Sequence, residues 1–207
     1  MEQQTVHLYV FDSLSDWEAG YAIAGINNPQ FQKDPDRFCV KTVAKSKDPV
    51  RTIGGICILP ELTLDEISPD DSAMLILPGG TAWDEGKNVE GVELAIEFLD
   101  SGKPVAAICG ATAGLARSGL LDSRKHTSNA LEYLAATQYK GTTLYKDAPA
   151  VTDNNLITAT GMMPVDFAYH IFKILDIYKP EVLEAWYGLF KTGQPEYFEK
   201  LMKAAYS

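Results

Sequence analysis

The residue best placed to do chemistry in this chain is Cys109. It follows the apolar run Val105–Ile108 directly and precedes Gly110-Ala111-Thr112-Ala113-Gly114, a string of small residues opening a helical stretch. A side chain in so tight a strand-to-helix turn is pushed toward strained backbone geometry, and small neighbours make room for it. Its sulfur would stand at a helix N-terminus, where the dipole favours thiolate, the nucleophilic form, and depresses the thiol pKa. The competing reading is a buried cysteine acting as a small hydrophobe, the commonest fate of a free thiol. The turn favours chemistry for Cys109, whereas Cys39 and Cys57, inside apolar strand patterns, read as core.

Two further features fall on the same side of the chain's strands. Pro78-Gly79-Gly80 ends the apolar run Ala73–Leu77. Glycines there let backbone N–H groups point into a cleft and stabilise an oxyanion, which makes Gly79, Gly80 and Gly110 candidate donors; a plain Gly-rich turn explains the motif equally well. Glu18 lies in Ser15-Asp16-Trp17-Glu18. A carboxyl pressed against a thiolate has its own pKa raised, so it can stay protonated and donate a hydrogen bond to sulfur. The same four residues also spell a capping box, with Ser15 as N-cap and Glu18 three positions on.

The elements that must position these groups alternate in type. Thr5–Phe11 reads as a first strand, Ser15 opens a helix, and Arg37–Ala44 reads as a second strand. Val50–Pro60, with Gly54-Gly55 at its middle, reads as a hairpin or bent strand. Ala73–Leu77 and Val105–Ile108 are short continuous apolar runs, as expected of strands covered on both faces. Val89–Ser101 is amphipathic and closed by Gly102. Asn155–Thr160 is strand-like, Pro164–Ile177 helical, and two aromatic-rich helical segments, Glu181–Lys191 and Pro195–Tyr206, follow. The alternation implies βα units: an α/β fold with a doubly wound, mostly parallel sheet flanked by helices. Residues 1–178 make the α/β domain and residues 179–207 a C-terminal helical extension of it. In open parallel sheets ligands bind beyond the carboxyl ends of the strands, where Cys109, Gly79-Gly80 and Glu18 all fall.

Composition narrows the function. The 207 residues are 46% apolar and 22% charged, with a formal net charge of −10. No basic stripe is available to meet nucleic-acid phosphate or an anionic membrane, so the expected partner is a small-molecule substrate. Three cysteines and three histidines, without metal-ligand spacing, argue against a disulfide framework or a metal; no cofactor is expected. With neither a secretory leader nor an apolar stretch of spanning length, the expectation is a reduced cytoplasm.

Asp16-Trp17-Glu18, Leu77-Pro78-Gly79-Gly80, Ala106-Ala107-Ile108-Cys109-Gly110-Ala111 and Gly119-Leu120-Leu121-Asp122 together resemble the PfpI/ThiJ family (the DJ-one-like proteins) of the class I glutamine amidotransferase-like superfamily. The likeness covers about residues 5–177. It implies a flavodoxin-like, amidotransferase-like sheet, Cys109 as the nucleophile-elbow cysteine, Glu18 as the site glutamate, and Gly79 and Gly80 as oxyanion-side donors. The family includes C56-class peptidases, glyoxalase- or deglycase-like enzymes, isonitrile hydratases, chaperones and oxidative-stress sensors, and its members are commonly homodimers.

The chain departs from that pattern. Many relatives carry a histidine where Lys125-His126-Thr127-Ser128-Asn129 places Asn129. In a strand, His126 three residues earlier should face the opposite way, although a bend could bring it toward the sulfur. Where glutaminase domains have His-Pro-Glu, this chain has Met163-Pro164-Val165, so glutamine hydrolysis is set aside. Asp166 and His170, four apart on a helix, read as a solvated ion pair. Trp17 and Trp83 are candidate pocket residues beside His126 and Asn129; Trp83 with Asp84 either walls the cleft or belongs to an ordinary surface loop. Trp186, Tyr187, Phe190, Tyr197 and Phe198 either form a dimer contact or pack on the chain's own sheet. Two functions fit: a cysteine-dependent hydrolase-like enzyme acting on a small carbonyl or acyl group, or a non-catalytic redox sensor whose thiolate is oxidised.

Overall fold

The computed structural model describes residues 3–206. A seven-stranded sheet runs in the order β5 (Leu62–Thr63), β2 (Phe38–Ala44), β1 (Gln4–Tyr9), β6 (Ser72–Leu77), β7 (Val105–Ile108), β9 (Leu156–Ala159), β8 (Ala150–Asp153). Every pairing in it is parallel except β8 with β9. A separate antiparallel pair, β3 (Val50–Arg51) and β4 (Cys57–Ile58), forms the expected hairpin about Gly54-Gly55.

The two apolar runs became the central strands because only central strands lose water on both faces. Met74 through Leu77 and Val105 through Ile108 are entirely buried. Helix α1 (Gly20–Asn27) and α5 (Pro164–Leu175) pack together on one face; α2 (Val89–Asp100) and α3 (Gly110–Arg117) cover the other, as right-handed crossovers running in opposite directions from β1 require. Gly25 of α1 exists for that contact, since a Cβ there would run into the Phe172 ring of α5. A short helix, α4 (Leu131–Ala135), packs on α3. Helices α6 (Pro180–Thr192) and α7 (Pro195–Ala205) continue outward from α5. There Trp186 meets Phe172 edge-on at 4.9 Å and Tyr187 lies 4.6 Å from Tyr169. These two rings therefore pack within the chain, whereas Phe190 and Phe198 stay exposed. Among the described residues no helix is long and apolar enough to cross a membrane.

Several local expectations are corrected. Ser15 caps no helix: α1 begins only at Gly20, and residues 16–19 form turns. That releases Glu18 from any capping role. Lys125–Asn129 is not a strand; His126 touches Tyr145 through a single bridge. Cys57 is exposed on the hairpin and Cys39 only half-buried, because the hairpin stands off the sheet and β2 lies near its edge. The hairpin is tied down by carboxylates: Asp12 Oδ1 accepts the Arg51 N–H at 2.7 Å and Asp16 Oδ2 the Gly54 N–H at 2.8 Å. Its tip leaves Ile53, Ile56 and Leu59 exposed.

Candidate active site

Cys109 takes φ 57° and ψ −124°, a region that L-residues rarely enter and that costs about 1–3 kcal/mol. The strain follows from what surrounds it. Its N–H still belongs to the sheet, donating to Ala159 O at 3.0 Å, while its C=O already accepts from the Thr112 N–H and, at 2.6 Å, from the Thr112 hydroxyl. One residue must turn the chain from strand to helix. Gly110 and Gly114 let the wholly buried Trp83 lie directly on α3, since Cβ atoms there would stand 3.1 and 2.6 Å from its side chain.

The sulfur is enclosed by groups from four separate segments. Glu18 arrives from the turn after β1, fully buried, with Oε2 accepting the Gly79 N–H at 2.5 Å. Its Oε1 has no conventional hydrogen-bond partner among the described residues and faces the Cys109 thiol. Asn129 donates from Nδ2 to Cys109 Sγ at 3.3 Å, and its Oδ1 accepts the Gly161 N–H at 2.9 Å. Gly161 completes the enclosure: a Cβ there would stand 2.8 Å from the sulfur and 3.2 Å from Glu18 Oε1. Its carbonyl accepts the Trp17 indole N–H at 3.2 Å, which fixes the half-exposed Trp17 at the rim.

The electrostatics centre on one proton. Burial pushes Glu18 up to about 7, and the hydrogen bonds it receives from Cys109, Gly79 and Ser15 moderate the rise. Cys109 is pushed up to about 11, first by burial and then by the charge of Glu18, against the opposing hydrogen bonds of Asn129 and the Gly110 N–H. The helix-terminus argument for a depressed thiol is therefore overturned by desolvation and a neighbouring carboxylate. The increment from the Glu18 charge depends on its ionisation. When Glu18 holds the proton, the Coulombic opposition to thiolate disappears.

Other expected site residues fall elsewhere. The Gly79 N–H is occupied by Glu18, leaving Gly80 and Gly110 as candidate oxyanion donors. Trp83 sits behind the elbow, with its N–H on Pro78 O at 2.9 Å, so it neither walls an open cleft nor joins a surface loop. His126 is fully buried away from the sulfur. Its Nδ1 pairs with Arg124 O at 2.7 Å, its Nε2 with the Tyr139 hydroxyl at 3.1 Å, and its ring lies edge-on to Tyr139 and Tyr145. Burial lowers its pKa. Nor do Asp166 and His170 pair: buried Asp166 binds Lys191 Nζ at 2.6 Å and the Tyr187 hydroxyl at 2.8 Å, and His170 meets Thr152. Gly161 was missed, although its place just past β9 repeats the strand-then-glycine pattern of Gly79.

Comparison with known proteins agrees with this architecture. A family model described as the DJ-1/PfpI family matches residues 4–174. A Bacillus subtilis (strain 168) protein named "Uncharacterized protease YoaZ" is 45% identical over 205 residues, covering 98% of each chain. The crystal structure of a thiJ/pfpI family protein from Bacillus anthracis superposes with a TM-score of 0.90 at 44% identity over 99% of each chain. The Pyrococcus furiosus protein named "Deglycase PfpI" is 41% identical over 75 residues, 36% of this chain and 45% of its own.

Proposed function

Since the chain belongs to the DJ-1/PfpI family, we propose that it is a cysteine-dependent enzyme acting on a small carbonyl or acyl substrate. One observation carries the reading: the strained Cys109 sulfur sits between a buried carboxyl oxygen, without another hydrogen-bond partner among the described residues, and an amide donor. In the proposed step Glu18 Oε1 takes the thiol proton and Sγ attacks the carbonyl carbon. The C–S bond forms as the π pair of the carbonyl moves onto oxygen, within reach of the Gly110 N–H. Glu18 then returns its proton to that oxygen, closing a neutral adduct. With an acyl substrate the adduct expels its leaving group and water hydrolyses the thioester.

Peptide hydrolysis fits less well, because expelling an amine calls for a general acid besides Glu18, and His126 is committed to Arg124 and Tyr139. A redox sensor needs a standing thiolate, and burial with the Glu18 charge opposes one. Turnover of methylglyoxal and of an activated ester tests the proposal. Activity in the wild type lost in Cys109→Ala supports it; activity that survives Cys109→Ala, or is absent from the wild type, rejects it.

A further inference from the structure

One polar pair at this site has no part in the step above. The Tyr133 hydroxyl, on α4, donates to Asp84 Oδ1 at 2.6 Å. The two residues come from the segments that flank the elbow. Asp84 ends the turn Thr81–Trp83, whose Trp83 is seated on Gly110 and Gly114 at the start of α3. Tyr133 lies four residues beyond Asn129, which holds the sulfur. Their hydrogen bond therefore ties the loop after β6 to the segment after α3, and Tyr133 lies close enough to Cys109 to feel its charge. Tyr133 is half-buried and Asp84 exposed, as a rim requires.

The direction of this bond decides what the rim can recognise. The only proton on Tyr133 Oη is given to Asp84, so Oη and the second carboxylate oxygen offer lone pairs alone. Burial, the Asp84 bond and charge, and the charge of Cys109 all hold the Tyr133 hydroxyl above its ordinary range, with Arg117 opposing, so the phenol keeps its proton and the bond its direction. Arg117 is the nearby cation, and its Nη1 is committed to Trp83 O at 2.6 Å. The sulfur end of the site thus carries donors, the Gly110 N–H and Asn129 Nδ2, and the rim carries acceptors and a negative charge.

We infer that Tyr133 and Asp84 determine substrate specificity by selecting small carbonyl compounds that bear a hydroxyl group near the carbonyl and excluding those that bear a carboxylate. The carbonyl oxygen meets the donors at the sulfur while the hydroxyl donates to the rim. A missing hydroxyl leaves the rim acceptors unpaired, and a carboxylate meets Asp84 as a like charge. The inference rests on the carbonyl chemistry proposed above.

The test reads binding without turnover. Cys109 is alkylated by iodoacetamide while glyceraldehyde, propanal or glyoxylate competes by reversible addition to the thiol, and the protection constants are compared. In the wild type glyceraldehyde should protect about tenfold better than propanal, and glyoxylate least. Tyr133→Phe should lower the glyceraldehyde-to-propanal ratio several-fold, toward the ratio that the two aldehydes show with a free thiol. Asp84→Asn, which keeps an acceptor for the Tyr133 proton but loses the charge, should keep that ratio and improve protection by glyoxylate several-fold. A ratio unchanged in Tyr133→Phe, a wild type that favours glyoxylate, or no protection by any of the three overturns the inference. Selective protection without turnover of any carbonyl rejects the proposed enzyme and leaves the recognition standing. Should Tyr133→Phe not fold, Asp84→Asn decides alone: no gain for glyoxylate overturns the inference.

Discussion

Asn129 holds the Cys109 sulfur with one end of its amide, at 3.3 Å, and the Gly161 backbone with the other, at 2.9 Å. An amide in this place can donate to sulfur but cannot take its proton, so it stabilises thiolate without acting as a base. Asn129→Ala removes that donor and moves the thiol pKa further up. Iodoacetamide alkylation of Cys109 at pH 8, followed by mass spectrometry, should slow about three- to tenfold, and Asn129→Asp should slow it more. Unchanged or faster alkylation would show that the bond does nothing for the sulfur.

Gly161 has no room for a side chain, since its Cβ would meet both Sγ and Cβ of Cys109 at 2.8 Å. Gly161→Ala should reduce alkylation more than tenfold and cost about 1–3 kcal/mol of stability through overpacking. Wild-type reactivity in a folded Gly161→Ala protein would contradict the enclosure described here.

Glu18 makes a signed prediction about pH. Its folded pKa is raised from the ordinary 4.5 to about 7. The native state therefore binds the extra proton between those values, and stability falls as pH climbs through that window and remains lower above it. Glu18→Gln removes the ionisation, so it should be more stable than wild type by about 1–3 kcal/mol at pH 8 and no more stable at pH 4. Urea unfolding at the two pH values measures this. The same variant should alkylate faster, having lost the charge that opposes thiolate, yet turn over carbonyl substrates more slowly, having lost the proton acceptor. An equal stability difference at both pH values would remove the ionisation from the explanation.

His126 should behave as core. Replacing it with alanine loses two polar contacts and two edge-to-face ring contacts in a fully buried place, at a cost of about 3 kcal/mol. The alkylation midpoint of Cys109 should not move. A shift of that midpoint would mean that the imidazole reaches the sulfur after all.

How much of this could be read from the sequence depended on how far apart the cooperating residues stand. The elbow was legible because Ile108, Cys109 and Gly110 are covalent neighbours. The two central strands were legible because only sheet interiors tolerate such short, continuous apolar runs. Glu18 was ambiguous, since the spacing from Ser15 that places it after β1 is also the spacing of a helix cap. The direction of the thiol shift was misread because the helix end is a local signal, whereas burial and Glu18 are brought to the sulfur by the sheet. Gly161 and the Tyr133–Asp84 pair left almost no trace, for nothing in either segment names its distant partner.

The β3–β4 hairpin is joined to this chemistry by more than proximity. Asp16 grips the Gly54 N–H at the hairpin, and the Ile53 N–H binds Leu14 O. On the other side the Ser15 N–H binds Gly79 O, and the Gly79 N–H holds Glu18. The five residues from Leu14 to Glu18 are thus stapled at both margins. The hairpin and the buried carboxyl beside Cys109 are the two ends of one short hydrogen-bonded strap.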